Sequence, residues 1–262
     1  ARRQIHASLD RPGTRLVTLL GMGGVGKSRL AAAVGWERLD RYPDGVWLVE
    51  LADVKAQALD PATCLAVAIA AALRLPWHEG VNPGTHLLGH LVGRRMLLIL
   101  DSVELLSGEG LPFLLAVLKD CPSVQLLATS REAPPPALGR IFPITGLDYP
   151  PNDDDEQTWP AVELLAIRRA QQCWAPLTPA DQRAMRRICR AVEGLPLAIE
   201  LAAGLTGELS LPEIAAGLEG GLDSLATPLR DVPARHRSLA AAFAPSWQRL
   251  SPELQGCLVR LA

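Results

Sequence analysis

One stretch near the N-terminus, residues 21–28 with the sequence Gly-Met-Gly-Gly-Val-Gly-Lys-Ser, limits the possible folds of this chain more than any other. It matches the pattern G-x-x-x-x-G-K-[ST] in full, and it lies between an apolar run at 16–20 and a helix-forming segment that starts at Lys27. Glycines let successive backbone N–H groups point inward, and the N-terminus of the following helix adds the positive end of its dipole. A strand, a glycine-rich turn and a helix in this order therefore predict a phosphate-binding loop.

The same pattern assigns roles to individual residues. Lys27 is expected to reach the β- and γ-phosphates of a nucleotide, and the Ser28 hydroxyl is expected to ligate Mg²⁺. A glycine turn that binds nothing would need a chance match with the correct strand before it and the correct helix after it. The predicted nucleotide-binding residues of this segment are Gly21, Gly23, Gly24, Val25, Gly26, Lys27, Ser28 and Arg29.

Composition narrows the class of protein. The chain has 262 residues, 48% of them hydrophobic, and a formal net charge of −2, which predicts two globular domains without a charge footprint for nucleic acid or an anionic membrane. The five cysteines are widely spaced and form no C-x-x-C pair, which favours reduced thiols in a cytoplasmic protein over a disulfide frame or a zinc site. No apolar run approaches the length of a membrane span, so we expect no membrane partner. The chain begins without Met inside a helical pattern, and we expect it to be a fragment.

Residues 1–147 alternate between strand and helix patterns, which predicts a doubly wound parallel α/β sheet. In such a sheet, ligands bind at the carboxyl ends of the strands. The segment 46–51 is nearly all apolar, as expected for a strand that is covered on both faces. The predicted strands are 16–20, 46–51, 96–100 and 124–128, and the predicted helices of this domain are 5–9, 27–38, 61–75 and 86–92.

Proline and a run of acidic residues mark 148–160 as a linker. The acidic residues could bind a cation, although a solvated linker is the favoured interpretation. Beyond it every pattern is helical, which predicts a helical domain over 161–226. Within that domain, Thr178 is expected to cap a helix, and Gly194 and Pro196 are expected to end one helix and begin the next.

Three further residues are candidates for the chemistry of hydrolysis. Asp101 follows a buried strand, where a carboxylate could hold Mg²⁺ or, alternatively, cap the next turn. Many ATPases place a glutamate directly after this acid, but here the position is Ser102; either Glu104 reaches the site from the next turn, or hydrolysis is slow. Arg131, at the tip of the next strand, is placed to meet the γ-phosphate unless it is an ordinary surface arginine.

Four segments in order, residues 21–28, 97–104, 127–132 and the Gly-Leu-Pro-Leu stretch at 194–203, carry a resemblance. The chain resembles the bacterial branch of the signal-transduction ATPases with numerous domains (STAND), relatives of the NB-ARC switches. The segments 235–239 and 247–253 are similar to the family's junction with a winged helix. The resemblance implies a P-loop NTPase sheet, an all-α domain and, over 227–262, a linker and the start of a winged-helix domain.

The resemblance also implies a mechanism. ADP would hold the domains closed, and exchange for ATP would open the protein and allow it to oligomerise, with weak Mg²⁺-dependent hydrolysis. By the family pattern, Lys27 and Ser28 bind phosphate and Mg²⁺, Asp101 is the Mg²⁺ acid, Arg131 senses the γ-phosphate and Pro196 packs on the adenine. A signal ligand or protein would bind a C-terminal sensor, and DNA would be contacted only through domains outside this chain. The chain departs from the family pattern in two ways. It starts too late to contain the aromatic or aliphatic pair followed by Gly-Arg that binds the adenine, and Ser102 replaces the second polar or acidic residue that many relatives carry.

Two alternatives of different classes remain open. The first is a continuously cycling P-loop ATPase that performs mechanical or remodelling work; sustained turnover would distinguish it from a switch. The second is a DNA-binding regulator that acts through the winged helix, which the near-neutral charge of this chain disfavours.

Overall fold

The computed structural model describes residues 1–51, 60–76, 80–133, 139–219, 238–248 and 250–261. They form two compact units: the first comprises Ala1–Gly21 with Lys27–Ile144, and the second comprises Met22–Gly26 with Thr145–Ala262. The strands are β1 (Leu16–Leu20), β2 (Val46–Glu50), β3 (Leu97–Asp101), β4 (Gln125–Ser130) and β5 (Arg140–Pro143). The helices are α1 (Arg2–Leu9), α2 (Lys27–Trp36), α3 (Pro61–Ala72), α4 (Pro83–Leu91), α5 (Ser107–Asp120), α6 (Pro160–Ala170), α7 (Pro179–Ala191), α8 (Pro196–Gly204), α9 (Leu211–Glu219), α10 (Leu239–Gln248) and α11 (Pro252–Leu261).

The first unit is built on a five-stranded sheet in the order β2-β3-β4-β1-β5, in which every neighbouring pair is parallel. Alternate side chains of a strand point to opposite faces, and β3 shows this directly. Leu97 and Ile99 pack with α1 and α2 on one face, while Leu98 and Leu100 pack with α3, α4 and α5 on the other. Helices therefore cover both faces, and the predicted doubly wound α/β fold is confirmed.

Three details differ from the expectations. Strand β2 is at the edge of the sheet and is not covered on both faces, since Leu48 is 45% exposed; an apolar composition does not distinguish an edge strand from a central one. Strand β4 continues to Ser130 because Thr129 and Ser130 pair with the end of β1. Helix α5, which contains Pro112, and the short strand β5 have weak sequence signals and were not predicted.

From Pro160 onward, the described regular elements of the second unit are all helices, as predicted. Thr178 and Asp181 form the expected capping box at the start of α7, and α8 begins at Pro196. The domain limits at 147, 160 and 226 and the winged helix stay predictions, and residues 227–237 of the segment 227–262 that was predicted as linker and winged-helix start lie outside the described residues. In the part of the chain that the structure describes, no helix combines the length and apolar character needed to cross a membrane.

Candidate functional site

The carboxyl ends of β1 and β3 and the first turn of α2 bring three predicted residues of the first unit together. Ser28 Oγ donates a hydrogen bond of 2.6 Å to Asp101 Oδ1. Lys27 is 9% exposed, and its Nζ donates a hydrogen bond of 2.8 Å to the Gly21 carbonyl oxygen. Gly21 N in turn donates to Ser130 O at the end of β4. A hydroxyl, a carboxylate and a buried ammonium group thus meet at the carboxyl ends of the strands, where parallel α/β folds bind ligands.

Thr129 is a further member of this cluster that sequence reasoning did not assign. It is 1% exposed at the end of β4, and its hydroxyl donates a 2.6 Å hydrogen bond to Asp101 Oδ1, the same oxygen that Ser28 contacts. Thr129 Oγ1 also accepts a hydrogen bond from Ser102 N at 2.9 Å. Thr129 therefore positions the Asp101 carboxylate. A hydroxyl residue at the end of an otherwise apolar buried strand was the available signal.

The backbone after β3 is unusual. Ser102 has a φ of +68°, one of few positive values among the described non-glycine residues, and it directly follows Asp101. A left-handed conformation costs a non-glycine residue about 1 kcal/mol, and the hydrogen bond from Ser102 N to Thr129 helps to hold it. The chain thus turns sharply at the position where many ATPases place a catalytic acid, and the next acid follows two residues later.

That acid, Glu104, faces Arg131 across the ends of β3 and β4. The Arg131 Nε and Glu104 Oε1 atoms are 3.4 Å apart, and Arg131 N donates to Glu104 Oε2 at 3.3 Å. The Glu104 side chain is 4% exposed and that of Arg131 is 19% exposed. Arg131 is therefore not an ordinary surface arginine: the structure pairs the predicted γ-phosphate sensor with the candidate water-positioning acid.

The Lys27 ammonium group lies near one other cation and two carboxylates. Burial is the main cause that lowers the pKa of Lys27, and the Arg131 charge lowers it further, whereas the carboxylates of Glu104 and Asp101 oppose the shift. Two cations and two carboxylates balance one another in a partly buried environment. A phosphate group beside Lys27 would favour its protonated form and compensate for its burial.

The oxygen atoms around Asp101 also fit Mg²⁺. Mg²⁺ prefers oxygen ligands and usually retains several waters, so a hydroxyl and a carboxylate are sufficient protein ligands. Ser28 and Asp101 supply these two groups, already in contact, and the Ser28 hydroxyl oxygen and the Asp101 carboxylate would hold the ion. Bound there, Mg²⁺ would neutralise phosphate charge, while Thr129 holds the carboxylate.

The remaining predicted loop residues belong to the second unit, apart from Arg29, which is exposed in the first turn of α2. Gly23 and Val25 are buried. Gly24 and Gly26 have φ values of +80° and +94°, which explains the need for glycine at both positions. Leu197 N donates to Gly24 O at 3.2 Å, and a Cβ built on Gly26 would lie 4.0 Å from Pro196 Cγ. The Gly-Leu-Pro-Leu segment thus contacts the glycine-rich turn within this unit.

No protein-family profile matches the chain. A protein of Mycobacterium tuberculosis that is named as a candidate HTH-type transcriptional regulator, Rv0890c, is 34% identical to it over 249 residues. That alignment covers 95% of this chain and 26% of the relative, so the chain spans about a quarter of the relative's length.

Two solved structures are similar in fold. Cdc6p from Pyrobaculum aerophilum superposes with a TM-score of 0.56 at 17% identity, covering 84% of this chain and 63% of that one. The ORC2 protein from Aeropyrum pernix, in ADPNP-ADP complexes, has a TM-score of 0.51 at 13% identity, covering 87% and 68%. The parallel sheet and the glycine-rich motif between β1 and α2 agree with these similarities in fold. The chain has the α/β fold of the P-loop NTPases, followed by a helical region.

Proposed function

We propose that this protein is an ATP- and ADP-binding molecular switch of the STAND type. It is closed and inactive with ADP, open and self-associating with ATP, and it hydrolyses ATP slowly with Mg²⁺. The observation that carries the proposal is the convergence of Lys27, Ser28 and Asp101 at the ends of β1 and β3. The ADPNP-ADP complexes of the structurally similar ORC2 protein support nucleotide as the ligand.

The surroundings of Asp101 favour a slow switch over a continuously cycling motor. The residue after Asp101 is Ser102, whose hydroxyl is a poor general base compared with a carboxylate. Glu104 makes two contacts with Arg131. Its carboxylate is therefore paired with a cation in this arrangement and is not directed at a water molecule that would attack the γ-phosphate. A site that binds nucleotide with good geometry and activates water poorly suits a device that holds its ligand.

The nucleotide retained during purification tests this proposal. We expect the protein, purified without added nucleotide and then denatured, to release close to one ADP per chain, because a closed switch keeps its product. Chromatography of the released material measures both identity and stoichiometry. An empty site that turns over added ATP continuously would contradict the switch and support the motor.

The ion pair between Glu104 and Arg131 makes a second outcome testable. Glu104→Gln removes the carboxylate that competes with a γ-phosphate for the Arg131 guanidinium, so we expect ATP to bind about fivefold to tenfold more tightly relative to ADP. Hydrolysis should slow if Glu104 also orients water. Titrations with both nucleotides and single-turnover assays measure the two effects separately.

Glu132→Gln is the matched control, because Glu132 is exposed, lies next to Arg131 and carries the same charge. An equal change of the ATP-to-ADP affinity ratio in both variants would show that general electrostatics, and not the ion pair, controls the site.

A second candidate function is transcriptional regulation through DNA contact, which the name of the 34% identical mycobacterial relative favours. Because the chain spans about a quarter of that relative, we assign DNA contact to other parts of the full-length protein. In this form the two candidates are compatible: the switch would control an attached DNA-binding domain. Tight binding of duplex DNA by these 262 residues alone would contradict that assignment.

A further inference from the structure

The first unit contains a cavity of about 400 Å³ that the proposed function does not use. It is lined by residues around the start of β1, such as Thr14 and Arg15, by Gln125 at the start of β4, and by the segment that follows α2. Asp101 and Ser130 end their strands, whereas Arg15 and Gln125 lie at the strand starts. Since all strands are parallel, the cavity lies at the amino ends of the strands, whereas the cluster around Asp101 lies at their carboxyl ends.

The lining of this cavity is strongly cationic. Five of its side chains are arginines and one is a carboxylate, Asp10, which gives a formal charge of 5 − 1 = +4 in a protein of net charge −2. Asp10 Oδ1 is already shared, at 2.5 Å from Arg38 Nη2 and 3.5 Å from Arg41 Nη1. Like charges held close together disfavour each other unless an anion lies among them. The five arginines are Arg11, Arg15, Arg38, Arg41 and Arg95.

The buried part of the lining is ordered by internal hydrogen bonds. Tyr42 OH donates to Gln125 Oε1 at 2.5 Å, and Gln125 Nε2 donates to the carbonyl oxygens of Leu9 and Thr14. The Arg38 guanidinium lies 5.9 Å from the centre of the Tyr42 ring. The Arg38 side chain is 6% exposed, yet its Nε is a buried donor without a hydrogen-bond partner among the described residues. A cation buried with an unused donor is costly unless a ligand completes its contacts.

The outer part of the lining consists of exposed arginines. Arg11, Arg41 and Arg95 are all exposed, so their guanidinium groups can turn towards a ligand. The carboxylate of Asp44 nearby is used by the Arg94 guanidinium and by the Arg95 backbone N–H. A hydrogen-bonded floor and an exposed cationic rim are suited to capture an anion from solution.

The chemistry of these groups defines the ligand class. Guanidinium forks bind phosphate oxygens in pairs. Arg15 already donates to the carbonyl oxygens of Cys121 and Val124, so the exposed arginines of the rim are the ones that suit more than one phosphate group. Tyr42, the aromatic residue among the described residues of the lining, is 4% exposed, so its ring is not available for a nucleobase to stack on. A volume of about 400 Å³ fits a small molecule and not a nucleic acid duplex. We propose that this arginine-lined cavity binds a small anion with two or more phosphate groups and requires no nucleobase.

Calorimetric titration with inorganic triphosphate tests the proposal. The phosphate loop could bind the same probe, so the titration is made in a Lys27→Ala background, where that site lacks its ammonium group. We expect binding to persist there, and to weaken at least tenfold when Arg11→Gln and Arg95→Gln are added, because two charge-assisted contacts are lost. Both arginines are exposed, so the fold should be retained; thermal unfolding checks this.

Arg3→Gln with Arg183→Gln removes the same charge from exposed positions outside the cavity and should leave triphosphate binding unchanged. An equal loss with both pairs, or no binding in Lys27→Ala, would overturn the proposal. So would binding of duplex DNA that depends on Arg11 and Arg95 while triphosphate does not bind. Failure of the nucleotide switch gives a different result: wild type and Lys27→Ala would then bind ADP equally, whatever the cavity does.

Discussion

Replacing Lys27 with alanine is expected to weaken binding of ADP and ATP by about 100-fold or more, because the variant loses a buried, charge-assisted contact to the phosphates. Lys27 is 9% exposed, and its burial lowers the pKa of its ammonium group, which a phosphate beside it would raise again. The fold should change little, since the Lys27 side chain lies at the end of the sheet and its hydrogen bond to the Gly21 carbonyl oxygen joins residues that are near neighbours in sequence. Calorimetric titration with each nucleotide measures the loss.

Lys119→Ala is the matched control, because Lys119 is exposed in the last turn of α5 and far in sequence from the loop. It should bind nucleotide as the unchanged protein does. Unchanged ADP affinity in Lys27→Ala, with both variants folded, would contradict the whole assignment of the site.

Gly194→Ala is expected to destabilise the second unit by about 2–4 kcal/mol. Gly194 has a φ of +65°, which costs a side chain about 1 kcal/mol. An added Cβ would also collide with the Leu147 carbonyl oxygen and lie 3.0 Å from Tyr149 Cδ1. Gly194 O accepts a hydrogen bond from Leu147 N at 2.8 Å, so the two backbones are already in close contact and cannot separate without losing it.

Gly217→Ala is the control, and we expect it to change the free energy of unfolding in the opposite direction. Gly217 lies within α9 and is exposed. Apart from the neighbouring backbone of its own helix, no atom of the described residues lies within 4 Å of a Cβ added there. Alanine there should stabilise the unit by up to about 1 kcal/mol, since glycine is a poor helix former. Chemical denaturation of both variants measures the free energy of unfolding. Equal stability of the two would show that residues 194 and 147 do not approach as closely as the structure has them.

The local sequence was sufficient for the residues that depend on short-range pattern. The glycine-rich turn between β1 and α2, the helix start at Pro196 and the capping box at Thr178 each follow from residue types at fixed spacing, because the backbone hydrogen bonds involved join near neighbours. The parallel sheet followed from the alternation of strands and helices. The roles of Lys27, Ser28 and Asp101 in binding nucleotide and Mg²⁺ remain predictions, although the structure brings their side chains together at the carboxyl ends of the strands.

Contacts between residues far apart in the sequence could not be predicted, since they depend on which strands become adjacent in the sheet. The exposure of Leu48 follows from the edge position of β2, and an apolar run has the same composition at an edge as in the centre. Thr129 meets Asp101 only because β4 lies beside β3, and Glu104 meets Arg131 for the same reason. The arginine-lined cavity joins segments more than a hundred residues apart in sequence, from Leu9 to Gln125. Residue spacing encodes local backbone geometry, whereas electrostatic pairing and burial arise only once the sheet order places distant strand ends together.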